Sequence, residues 1–180
     1  MLSPNERRLQ FDDCIYQGPT LVPELVGILL RACLLPFLLI ADVEKAFHQI
    51  RLQRPQRDAR FLWLKDTSKP PANNSRILRF TRIPLGVNAS QFLLAAAITL
   101  YLHREKCPVG DEISRNTYVD NVILAASSRR EALKKHELAK SIFTQMHMNL
   151  REFLGDSTYV NSRTDSRNRA INPSRASLLG

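Results

Sequence analysis

Cysteine is scarce and unpaired in this chain. Only Cys14, Cys33 and Cys107 occur among 180 residues, an odd number, far apart. No two have metal-ligand spacing, so neither a disulfide framework nor a thiolate zinc site is expected. A reducing, intracellular compartment suits such a chain. His48, His103, His136 and His147 are equally scattered and offer no other route to zinc. Long apolar runs are also missing. The strongest candidate, Leu25 to Ala41 (LVGILLRACLLPFLLIA), is broken by Arg31 and Pro36. It falls short of the about 18 uninterrupted apolar residues that a membrane span needs. The residues before it are mixed and polar, unlike a signal peptide. Acidic residues are in deficit, 17 against 26 Lys and Arg, for a net charge of +9. A basic surface favours polyanions, nucleic acid first, although the same excess also serves solubility.

What is present is a core and a regular order of elements. Hydrophobic residues make up 44% of the chain, enough to build a core. Pro23-Glu24 suits the first turn of a buried helix over about 21–33, and Pro36 ends it. Phe37-Leu38-Leu39-Ile40 is a short continuous apolar run and reads as a strand buried on both faces, with Asp42 at its end. Residues 44–49 read as a helical turn. RFLWLK (60–65) and RILRFTRI (76–83) alternate with period two, and the Pro- and Asn-rich loop between them makes a long hairpin. Pro84-Leu85-Gly86 breaks the chain before a helix that begins at NASQFLLAAA, with Asn88 as its N-cap, and ends before Pro108. NTYVDNVILAA (116–126) reads as a tight hairpin turning at Asp120-Asn121. Ser127-Ser128 cap an amphipathic helix to about His147, and Leu150–Leu154 is a last strand. From 156 onward the sequence is polar and basic, too poor in apolar residues to order itself. The expected division is a folded domain over 1–155 and a disordered tail over 156–180. Helices over one face of a largely antiparallel sheet make an α+β fold.

Two acids stand where strands end or turn. One is Asp42 in LIADVEKAF, and the other is Asp120 in TYVDNV. Neither has an evident salt-bridge partner nearby in sequence. If the two strands are neighbours, both carboxylates meet at one end of the sheet, where they repel unless a cation joins them. Mg²⁺ is the usual cation for carboxylate oxygens and is often shared with substrate phosphates. The plainer alternatives are a helix N-cap at Asp42 and a turn corner at Asp120-Asn121.

In this order the same stretches resemble the motifs of reverse transcriptases. LIADVEKAF is similar to motif A, RIPLGVNASQFLL to motif B and TYVDNVILA to the Tyr-x-Asp-Asp hairpin of motif C. The upstream LQFDDCIYQGPTLVPELVGILL, together with DVEKAFHQIRL, RDARFLWLKD and MNLREF, most resembles the BEL/Pao group of LTR retrotransposons. The resemblance covers about residues 9–162. It implies a reverse-transcriptase palm with incomplete fingers and no thumb, and RNA-directed DNA polymerase activity within a longer Pol polyprotein. The partners implied are an RNA or DNA template with its primer and dNTPs, without a membrane. The location implied is the cytoplasm, in the virus-like particle of an intact element.

Residue by residue, the resemblance makes Asp42 and Asp120 ligands of two Mg²⁺ ions, which Mn²⁺ can replace, with the Val43 carbonyl as a further ligand. Phe47 would be the aromatic gate under the sugar. Leu85 and Gly86 would line the nucleotide pocket, and Tyr118 and Val119 would lie under the primer terminus. Asn121 departs from the pattern. It stands where the family usually carries a further acid, and its amide keeps a ligating oxygen but no charge. Gln91 replaces a proline common in motif B. The resemblance therefore also admits an impaired palm that only binds nucleic acid.

Overall fold

The computed structural model describes residues 11–54, 59–105 and 108–155. The tail expected over 156–180 lies outside the described residues, as does Cys107, whereas Cys14 and Cys33 are exposed and free. The described chain is α+β, with antiparallel sheets and helices. No described helix is long and apolar enough to cross a membrane.

The centre is a four-stranded sheet ordered β4-β5-β1-β6, from β1 (Phe37–Val43), β4 (Thr117–Tyr118), β5 (Asn121–Ala126) and β6 (Leu150–Gly155). All three pairings are antiparallel. Alternation sends Leu39, Ala41, Val43, Val122 and Leu124 to one face. There they join Leu94, Ile98 and Leu102 of α3 (Ala89–Glu105), Ile113 of α4 (Pro108–Arg115), and Ala139 and Phe143 of α5 (Arg129–Gln145) in one core cluster. α5 lies against β5, β1 and β6. The order expected from the sequence is present, with α4 as an addition. Pro108 starts this helix, because a proline at the first helical position forfeits no hydrogen bond.

Two expectations about burial need correction. β1 is buried on one face only, with Leu38 and Ile40 half exposed, while β5 is buried from Val122 to Ala126 on both faces. On this side α1 (Leu25–Ala32) packs chiefly along β5 and β4. Ile28 and Ile123 are both buried, yet both stand outside the main cluster, as expected for a second cover on the other face. The helices therefore do not all share one face. α1 is also not a fully buried helix: Val26 is 67% and Leu30 65% exposed, and only Ile28 is buried.

The free edge of β5 is closed by side chains. β4 is two residues long, so it covers only the first residues of β5. Further along, the Ala125 N–H donates to Glu112 Oε1 of α4 at 3.4 Å, and the Ala125 carbonyl accepts from Lys135 Nζ of α5. Lys135 also pairs with Glu112 at 2.8 Å and Glu131 at 3.2 Å. Edge groups that would otherwise template another strand are thus occupied. Burial works to lower the Lys135 pKa, but its hydrogen bonds and charge pairing with Glu112 and Glu131 outweigh it and raise the pKa. Ser128 caps α5 by accepting the Glu131 N–H at 3.2 Å, and Glu131 returns a carboxylate to the Ser127 N–H at 2.9 Å.

β2 (Arg60–Leu64) and β3 (Ser75–Arg79) form a separate two-stranded sheet, the long hairpin expected from the sequence. Asn74, almost fully buried, closes its loop. Its side chain accepts from the Asp66 N–H at 3.0 Å and donates to the Lys69 carbonyl at 3.0 Å. The hairpin continues toward α2 (Ala46–Gln49) through an isolated bridge between Arg51 and Arg82. Gly18, at φ +81°, lies so close to the Phe92 ring of α3 that any Cβ there would collide with it. That glycine lets the segment before α1 dock on α3, beside the Asn88 N–H bond to Asp12 Oδ1 at 3.2 Å.

Candidate active site

β1 and β5 are neighbours, and their register sets Asp42 opposite Asn121. β4 pairs with β5 through Tyr118 opposite Asn121, and β6 pairs with β1 through Arg151 opposite Asp42. Residues paired across a sheet share a face. Tyr118, Asn121, Asp42 and Arg151 therefore form one row across all four strands, on the face opposite the α3–α5 core. All four side chains are partly exposed. Asp120 lies at the end of the same row, in the two-residue turn Val119-Asp120 that joins β4 to β5. The turn's corner is thus one residue earlier than the Asp120-Asn121 corner expected from the sequence, and Asn121 is already a strand residue.

The turn is tied to β1. The Val43 N–H donates to the Asp120 carbonyl at 2.8 Å, so the two acidic segments are joined by backbone. Val119 takes a left-handed conformation, φ +56°, and packs on the core cluster. A β-branched residue is strained in that conformation. The fold accepts this strain at the residue that positions Asp120. Asn121 Nδ2 donates to Asp120 Oδ1 at 3.1 Å. The amide thus orients the carboxylate, where an acid at 121 would repel it. Asp42 is not a helix N-cap: the strand runs on to Val43, and α2 starts at Ala46 after Lys45.

Asp42 does have a salt-bridge partner, contrary to the sequence expectation. Arg151 Nε lies 3.3 Å from Asp42 Oδ2, and its Nη1 lies 3.6 Å from Glu44 Oε1. Glu44 in turn accepts from Asn149 Nδ2 at 2.8 Å. The Asn149 bond, with Arg151 and Lys45 behind it, holds the Glu44 carboxyl below its usual range against the opposing effect of burial. The register explains the pairing. Between the Ile40–Leu154 and Asp42–Arg151 pairs, β1 advances two residues and β6 three, a bulge-like shift. Without it position 152, a glutamate, would stand opposite Asp42. The irregularity exchanges an acid–acid pair for an acid–base pair, the kind of re-aiming that bulges perform next to functional sites.

The remaining candidates fall into two groups. Phe47, on α2, is half buried and packs on the core cluster, close in sequence to the β1 end. Leu85 and Gly86 are exposed in the turn before α3, and Gly86 at φ +81° needs to be glycine for its backbone conformation. That turn follows a segment anchored to α2: Arg82 Nη1 donates to the His48 carbonyl at 2.8 Å and the Gln49 carbonyl at 2.9 Å. Tyr118 and Val119 stand beside Asp120 on the hairpin. Sequence reasoning missed Arg151, Glu44 and Asn149. Only MNLREF, noted for its resemblance, marked that part of β6.

Chemically, the row offers two carboxylates, one backbone carbonyl at Val43 and one amide oxygen at Asn121. Among the described residues no group of three or more His, Cys, Asp or Glu stands together as a metal cage. That donor set suits Mg²⁺, which is often held by one or two carboxylates and completed by water and substrate phosphates. Asp42 already engages one cationic group, the Arg151 guanidinium. In comparisons with known proteins, no family model and no curated sequence matches this chain, so the reading of the site rests on its own residues.

Proposed function

We propose that the chain is the palm region of an RNA-directed DNA polymerase of the BEL/Pao retrotransposon type. In this reading it joins a dNTP to a primer 3′-hydroxyl on an RNA or DNA template. The observation that supports the reading is that the Asp42 and Asp120 segments stand at the same end of one antiparallel sheet, linked by the Val43 N–H to Asp120 carbonyl bond. The motif order along the sequence supports it.

Two bound Mg²⁺ ions would supply Lewis-acid activation of the 3′-hydroxyl and charge neutralisation on the triphosphate. The chain's own residues do the rest. Asp42 and Asp120, with the Val43 carbonyl, hold the cations. Asn121 orients Asp120 through its amide. Tyr118 and Val119 support the primer end, and Phe47 limits the space beside the sugar, which disfavours a ribose 2′-hydroxyl. Leu85 and Gly86 border the nucleotide. Arg151 balances the charge of Asp42 until a cation arrives.

A second reading has its own observation. Asn121 leaves the site with two acids, so its cation affinity is lower than that of a three-acid site, and the chain then acts as a nucleic-acid-binding palm without turnover. Primer extension on an RNA template with Mg²⁺ or Mn²⁺ separates the readings. Extension that disappears in Asp42→Asn and in Asp120→Asn supports the polymerase. Extension only by Asn121→Asp identifies the missing carboxylate as the lesion. A folded protein that binds primer–template without extension in any variant establishes the binding palm.

A further inference from the structure

The β2–β3 ribbon carries charge that the fold does not use. Its register sets Arg60 directly opposite Arg79, with Leu62 opposite Ile77 on the same face. On the other face Trp63 stands opposite Arg76 and Phe61 opposite Leu78. Like charges directly opposed across two strands destabilise the pair. Arg60, Lys65, Arg76 and Arg79 form no ion pair with any described residue, and the ribbon's described acid, Asp66, is already paired with Lys69 at 3.3 Å. The apolar residues beside them are open too: Leu62 is 73%, Ile77 63% and Trp63 52% exposed. Trp63 ends an aromatic row, edge-on to Phe61 at 6.3 Å, with Phe61 at 4.8 Å from Phe80. Asn74 and its loop bonds hold the turn of the ribbon in this arrangement.

We propose that this ribbon is a binding surface for single-stranded nucleic acid, separate from the Asp42–Asp120 row. A phosphate bridges the Arg60 and Arg79 guanidinium groups and removes their repulsion. A base stacks on Trp63 beside Arg76. Neighbouring strands are about 5 Å apart, so one flexible single strand reaches both faces of a two-stranded ribbon. An apolar protein partner would match Leu62 and Ile77 but would leave the facing arginines unrelieved. A polyanion carrying planar bases matches both features. The proposal deepens the polymerase reading by naming where a single strand lies, yet its test needs neither metal nor dNTP.

The chain's single tryptophan is Trp63, so its fluorescence reports this surface alone. The whole chain is titrated with oligo-dT and with an abasic oligonucleotide of equal length, in metal-free buffer at several salt concentrations. The expected result is binding of both, with quenching of Trp63 by oligo-dT only. Arg60→Gln and Arg79→Gln should each reduce the dependence of log affinity on log salt by about one. Trp63→Ala, followed by anisotropy of labelled oligo-dT, should weaken binding roughly fivefold or more. Arg79→Glu supplies a sharper test, because it converts the Arg60–Arg79 repulsion into a salt bridge. It should raise the melting temperature while weakening oligonucleotide binding. The titration uses neither metal nor dNTP, so a failure of the polymerase reading leaves this result intact. Parent-like affinity and salt dependence in Arg60→Gln, Arg79→Gln and Arg79→Glu would overturn the proposal. Quenching of Trp63 by the abasic strand would overturn the stacking role.

Discussion

The four-stranded sheet and the β2–β3 ribbon are both antiparallel, yet they treat the same side-chain chemistry in opposite ways. In the sheet, charges are paired and the β5 edge is filled. Lys135 joins Glu112 and Glu131 and completes the Ala125 backbone, and Arg151 meets Asp42 and Glu44. In the ribbon, arginines face arginine or tryptophan, and large apolar residues stand in solvent. The sheet satisfies itself and places two acids at one end. The ribbon leaves its charges to something outside the fold. A region's unsatisfied chemistry is therefore informative only beside a region where the same chain has satisfied it.

The largest expected effect separates the two regions by stability. Phe143 is fully buried under the sheet, and Phe143→Ala should cost about 3–5 kcal/mol. Trp63→Ala in the ribbon should shift stability by no more than about 0.5 kcal/mol, as for an ordinary surface change. Urea unfolding of both variants checks this, and equal losses would erase the distinction. Next is the closed edge. Lys135→Met leaves the Ala125 carbonyl and Glu112 without their partner and should cost about 1–3 kcal/mol. The same denaturation measures it, and light scattering reports whether the opened edge promotes association.

The sheet and the helix packed on it should also respond to pH. His136, packed edge-on against Phe153 at 4.1 Å, is nearly buried, and its Nε2 has no hydrogen-bond partner among the described residues. Burial, with Lys140 adding to it and Glu137 opposing, lowers its pKa below 6.5. A basic group with a lowered pKa binds its proton more readily in the unfolded chain. Its contribution is therefore fully present above pH 6.5 and is lost as pH falls below that value. Glu131 acts lower on the scale. Its bonds from Ser127, then Lys135, bring it to about 2, so its contribution is present above pH 4.5 and is lost between there and about 2. Urea midpoints measured across this range should fall in two steps, and His136→Phe should remove the upper one. A midpoint flat from pH 7 to about 5 would contradict the assignment.

The smallest effect concerns Arg151. Arg151→Gln frees Asp42 from its guanidinium and should tighten Mn²⁺ binding by a few-fold, whereas Arg76→Gln in the ribbon should leave it unchanged. Electron paramagnetic resonance of free Mn²⁺ checks both. Weaker Mn²⁺ binding in Arg151→Gln would show that Arg151 positions the carboxylate and does not compete for it.

Much of the order was legible in the sequence because it is local. Proline and glycine breaks delimit α1, α3 and the hairpins, and the Ser127-Ser128 cap marks α5. The segment α4 was missed because Pro108 was read only as an end. Val109 and Ile113, four residues apart with Ile113 buried, were the available signal for a helix starting there. Burial of β1 was over-read, since a continuous apolar run does not reveal that α1 packs chiefly along β5 and β4. The two acids were legible as strand-end residues, but the Asp42–Arg151 pair was not. It depends on a one-residue shift between strands more than a hundred positions apart, which no local pattern encodes.

The central claim is that Asp42 and Asp120 form one cation site. Mn²⁺ titration of the parent chain, Asp42→Asn and Asp120→Asn, read by electron paramagnetic resonance with circular dichroism as the check on folding, tests it most directly. The account expects specific binding in the parent and its loss in either variant, with both variants folded. Mn²⁺ binding unchanged in both variants, or absent from the folded parent and from Arg151→Gln alike, would contradict it.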